Sequence, residues 1–159
     1  MPIKTFRGLI DHDSVHTIPL HTNTGKQGYR IVDLEIFYNT PGVGDVDHIV
    51  QVFTIPQTAA STEVDFSNQT LIGAAFLRQD SDAANITGRM GDIAVFDNIV
   101  FNQDIYITLK NAHATGGTPS DKPCNFMLKL EEVTLNSNEN VVATLKDIRN
   151  IGQWVNNII

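Results

Sequence analysis

The sequence predicts an all-β protein, an antiparallel, jelly-roll-like sandwich of about eight strands, with one helical segment at its C-terminal end. Three observations lead there. Apolar residues recur with period two in several short segments, the pattern of strands that bury one face. Clusters of Gly, Pro, Asn and Asp separate those segments, and each residue type has a mechanical reason to sit in a turn. No helical periodicity is interleaved with the strands, so the crossover helices of a parallel sheet are missing.

Taken in order, residues 4–10 and 14–21 read as the first two strands. Residues 28–38 follow, with Val32, Leu34 and Ile36 on one face and Asp33 and Glu35 opposite. Residues 48–55 are apolar on both faces (Val50 and Val52 against Ile49, Phe53 and Ile55), as expected of a strand covered from both sides. Residues 71–79 and 93–101 are the next two. The clearest alternation is in residues 104–110, where Ile105, Ile107 and Leu109 oppose Tyr106, Thr108 and Lys110. In residues 125–130, Phe126, Leu128 and Leu130 alternate with Met127 and Lys129. The inward positions form the expected core: Val32, Leu34, Ile36, Val50, Val52, Ile105, Ile107, Leu109, Phe126, Leu128 and Leu130. Turns are expected at residues 24–28, 41–45, 88–91 and 116–119, all containing Gly.

The C-terminal end differs. Asn136, Ser137 and Asn138 are N-cap candidates, and Glu139 places an acid in the first turn. Val141, Leu145, Ile148 and Val155 then form one apolar stripe at helical spacing, with Gly152 ending or weakening the helix. The expected organisation is a sandwich domain over residues 1–136 and a helical tail over 137–159. Leu145, Ile148, Ile151, Trp154, Val155 and Ile158 carry more apolar surface than a lone surface helix needs, and such patches mark interfaces. Trp154 would be its aromatic anchor. The alternative is that this stripe docks on its own sandwich.

Composition limits the partners. A chain of 159 residues buries enough surface for an unstapled core. Eleven basic against eighteen acidic residues give a net charge of −7, and Lys and Arg form no stripe, which argues against nucleic acid and anionic membranes. No apolar run approaches the ~20 residues of a membrane span, and no apolar stretch follows Met1 to suggest export. Cys124 is the sole cysteine, so no intrachain disulfide is expected.

Catalytic patterns are not found, and the chain is expected not to be an enzyme. His12 and His16 have the i,i+4 spacing of a zinc helix but sit in a poor helical context without the accompanying Glu. Asp11/Asp13, Asp45/Asp47 and Asp80/Asp82 resemble openings of calcium loops but lack the Gly at position six and the Glu at twelve. An irregular calcium site from Asp80, Asp82 and Asn85 is the one metal reading left, against turn-capping by the same residues. Glu131 and Glu132 are adjacent, so on a strand they face opposite ways and make no acid–base pair. Cys124, at the start of a strand, reads as a small buried hydrophobe. No cofactor is implied.

Four stretches carry a resemblance: residues 4–10 (KTFRGLI), 28–32 (GYRIV), 95–106 (VFDNIVFNQDIY) and 143–150 (ATLKDIRN). Together they resemble small proteins encoded among the virion genes of marine tailed bacteriophages. The resemblance implies a particle component made and assembled in the host cytoplasm, first a capsid decoration (cement) subunit. That subunit would be homo-oligomeric, a trimer being favoured, and would contact the major capsid protein or other virion proteins. The alternative it leaves open is a tail or fibre subunit with a receptor- or glycan-binding role. Trp154 on the expected helix, and Tyr29, Tyr38 and Tyr106 within strands, weigh against sugar binding.

Overall fold

Period-two strands are stable only when two layers bury their apolar faces against each other, and the computed structural model has two such layers. It describes residues 2–22, 25–41, 44–79, 93–112 and 120–136. These residues form eight strands and no helix: β1 (Ile3–Ile10), β2 (Ser14–Ile18), β3 (Gln27–Tyr38), β4 (Val46–Phe53), β5 (Leu71–Gln79), β6 (Ile93–Phe96), β7 (Ile105–Ala112) and β8 (Cys124–Thr134). One sheet has the order β1-β8-β3, the other β2-β7-β4-β5-β6, and every pairing is antiparallel. The all-β antiparallel sandwich is therefore borne out. The expected helix over 137–159 lies outside the described residues.

The core sits between the layers. Ile105, Ile107 and Leu109 of β7 flank Val50 and Val52 of β4, and Leu34, Ile36, Phe126, Leu128 and Leu130 belong to the same buried cluster. Val32 is a correction, since it is 37 % exposed while Ile31 is 2 % exposed. Between Ile31 and Asp33 the β3–β8 register shifts, so Val32 has no partner across the ladder. This bulge reverses the in-out phase: Tyr29 and Ile31 face inward before it, Leu34 and Ile36 after it.

Strand ends have local causes. β2 stops at Ile18, short of residue 21, because Pro19 has no N–H for the ladder. The next two N–H groups, of Leu20 and His21, donate instead to Asp104 Oδ1 at 2.8 and 3.0 Å, and the His21 ring nitrogen lies 2.7 Å from it. Burial opposes the Asp104 charge, but the bonds from His21 and Leu20 prevail and hold its carboxyl below the usual carboxylate range. β6 ends at Phe96, and Phe101 instead bridges Tyr29 in the opposite layer, so the single strand expected over 93–101 is a short strand plus a crossing. Gly8 of β1 lies under the Phe126 ring, where an added Cβ would meet Cε1 at 3.1 Å.

β4 is covered on both sides, as its composition implied. Gln51 points away from the core yet is 2 % exposed, because the β4–β5 connection folds back over it. Its side-chain amide donates to the carbonyls of Ser61 and Glu63 at 3.0 and 3.1 Å.

Candidate interaction surface

Because β8 pairs with β1 on one side and β3 on the other, the outer face of the three-stranded sheet reads in rows. One row is Leu9–Asn125–Phe37, the next Arg7–Met127–Glu35, and the third Thr5–Lys129–Asp33. Neighbours in a row stand about 5 Å apart, near enough for their side chains to act as one surface. Leu9 is 49 % and Phe37 62 % exposed, with Met127 half-buried between Arg7 and Glu35. An open cleft of about 940 Å³ is lined both by residues of these rows, among them Arg7, Leu9, Phe37 and Met127, and by Ile36, Phe126 and Leu77 of the core. The side chains of Arg7 and Glu35 make no ion pair or hydrogen bond among the described residues. Lys129 Nζ lies 4.0 Å from Asp33.

Two further apolar patches are exposed. Val64 and Phe66, the latter 65 % exposed, lie in the β4–β5 connection, and Ile93, Val95 and Phe96 lie on β6 at the end of the five-stranded sheet. Leu9 and Phe37 are not among the core or interface residues expected from the sequence. Their signal was present all the same: Phe37 follows Asp33 and Glu35 in phase, and Leu9 follows Thr5 and Arg7. An aromatic in phase with acids on an alternating strand sits on the solvent side.

At one end of the sandwich a polar network is enclosed instead. His48 and Asn111 are 1 % and 0 % exposed. Asn111 Nδ2 donates to the carbonyls of Ser120 and Lys122 at 2.8 and 2.9 Å, which leaves its Oδ1 as acceptor for His48 Nδ1, 2.7 Å away. His48 therefore carries its proton on Nδ1. The Asn111 backbone N–H donates to His12 Nδ1 at 3.2 Å, so His12 is an acceptor at that atom. Burial lowers the His48 pKa, partly opposed by its bond to Asn111 and the charge of Asp47. A histidine held below its unfolded pKa contributes stability above about pH 6.5, and that contribution is lost as pH falls through the folded value. Unfolding titrations should accordingly show stability declining below about pH 6.5, less steeply in His48→Asn. Equal slopes for the two proteins would show that His48 is not the group responsible.

The residues singled out from sequence fall as follows. Leu145, Ile148, Ile151, Trp154, Val155 and Ile158 lie outside the described residues, as do Asp80, Asp82 and Asn85. Asp13, at φ 59° in the β1–β2 turn, pairs with Lys110 at 3.1 Å. Asp47 accepts from Arg78 Nε and Nη2 at 2.9 and 3.1 Å. Glu131 pairs with Arg30 and Glu132 with Lys4, so the adjacent acids serve separate ion pairs. His16 packs against Phe126, ring centroids 5.8 Å apart, away from His12's bond to Asn111. Cys124 is fully buried. Among the described residues no three His, Cys, Asp or Glu converge on a point that would hold a metal ion, and no helix is long and apolar enough to cross a membrane.

Fold and surface together define an antiparallel β-sandwich whose three-stranded sheet presents an outer face on which Leu9, Phe37 and Met127 stand among Arg7, Glu35, Lys129 and Asp33. Comparison with family models, curated proteins and solved structures finds no match for this chain.

Proposed function

We propose that the chain is a structural subunit of a bacteriophage particle, a capsid decoration (cement) protein that acts through symmetric protein–protein contacts. The observation that carries this reading is the set of large apolar side chains on the outside of the sandwich, with Phe37 and Phe66 more than 60 % exposed. An isolated domain in water gains nothing from displaying such surfaces in three places, whereas a lattice subunit covers each with a neighbour. The strand order supports a jelly roll. β1 pairs with β8, β2 with β7 and β4 with β5, and β3 touches β6, so the chain is one long hairpin rolled into two layers. Residues 137–159 are the second contact element of this reading, through Leu145, Ile148, Ile151, Trp154, Val155 and Ile158.

Purified particles of the encoding phage test the proposal. The protein should be present in hundreds of copies, and removing residues 151–159 should leave a folded domain that no longer joins the particle. A handful of copies would move the assignment to a tail or fibre subunit. Absence from the particle, or incorporation of the truncated chain at the intact level, would overturn it.

A further inference from the structure

We propose that the outer face of the β1-β8-β3 sheet binds the same face of a second copy of this chain, about a two-fold axis running along β8. This rests on the reading of the chain as a subunit acting through symmetric contacts, and it names one of those contacts. The reason lies in how each row is composed. β8 is the middle strand, so a two-fold axis parallel to it and lying in the interface exchanges β1 and β3. Leu9 of one copy then stands over Phe37 of the other, and Phe37 over Leu9. Arg7 stands over Glu35, also twice, so two side chains with no ion-pair partner among the described residues each acquire one of opposite charge. Met127 meets its own mate at the centre, where a flexible, polarizable side chain adapts to an irregular contact.

The other two-fold arrangement, with the axis across the strands, fits worse. Reflected about the Met127 row, Leu9 would stand over Thr5 and Phe37 over Asp33, and no cation would meet an anion. In the favoured arrangement Lys129 approaches its own mate, but each is held by an Asp33 4.0 Å away.

The contact is small. Three strands about 4.8 Å apart and five residues rising about 3.3 Å each cover a few hundred Å² per copy, below the size of a standard stable interface. A dissociation constant of roughly 0.1–1 mM is expected for the free protein. Such contacts hold firmly when many are made at once.

Charge exchange tests this directly in the full chain, by sedimentation of samples up to about 1 mM, the weak end of the expected range. Arg7→Glu and Glu35→Arg are exposed substitutions, and circular dichroism checks that each variant is folded. Each alone places two like-charged pairs across the axis and should weaken self-association at least about tenfold. Mixed in equal amounts, the two variants form a pair in which both crossings are again opposite in sign, so association should return to the wild-type level. Singles that associate like wild type, or a mixture no stronger than its components, would overturn this contact while leaving the particle assignment intact. A wild-type chain that stays monomeric up to about 1 mM would overturn it as well. The particle assignment fails separately, on absence of the protein from virions.

Discussion

Ile107→Ala should lower the unfolding free energy by about 2–5 kcal/mol, the range for deleting buried aliphatic bulk. Ile107 has no exposed surface and sits in β7, which is bonded to β2 on one side and β4 on the other. Its ladder partners are His16 and Val52, and it lies in the core cluster with Leu128 and Leu130 of the opposite layer. A void there is hard to close, because hydrogen-bond ladders hold the backbone on both sides while close packing fixes the opposite sheet. The upper end of the range is expected for that reason. Natural domains have about 5–15 kcal/mol in total, so the variant should lose a large fraction of its stability. Urea titration measures it as a lower midpoint at unchanged slope. A loss under about 0.5 kcal/mol would mean that the side chain does not face the core.

Asn111→Ala should cost about as much, roughly 3–5 kcal/mol, by a different mechanism. The Asn111 amide satisfies three groups at once: the Ser120 and Lys122 carbonyls and the Nδ1–H of His48. Truncation leaves all three unpaired at an enclosed end of the sandwich, and each buried polar group without a partner costs about 1–3 kcal/mol. The same bonds tie residues 120–122 to the end of β7, just before β8 begins, so the chain entering β8 should loosen as well. Hydrogen exchange of Cys124 and Asn125 amides would report that loosening alongside the denaturant midpoint. Asn111→Asp keeps the shape, removes the two donors and supplies a charge for His48, so it should reverse the direction of the His48 shift upward. A cost below about 1 kcal/mol for Asn111→Ala would show that water replaces the amide and that the network is not enclosed.

Much of the fold was legible in the residues themselves. The alternation of Ile105, Ile107 and Leu109 against Tyr106, Thr108 and Lys110, and of Phe126, Leu128 and Leu130 against Met127 and Lys129, placed the correct faces inward. Residues 71–79 match β5 at both ends, and the two-sided apolar character of residues 48–55 was that of a strand covered from both sides. These features are local, since a period of two is a property of neighbouring residues and needs no knowledge of what the strand packs against.

What lay beyond the sequence was every feature set by a partner distant along the chain. Both Ile31 and Val32 are apolar, so nothing local decides which one faces inward; the register shift against β8 decides it. Asn111 reads as an ordinary polar strand end until the fold brings His48, Ser120 and Lys122 around it. Leu9 and Phe37 share a face because β8, more than eighty residues further on, lies between their strands. Alternation assigns each strand two sides, but hydrogen-bond register and packing between distant segments determine which sides meet. That choice made Arg7, Met127 and Glu35 a single row.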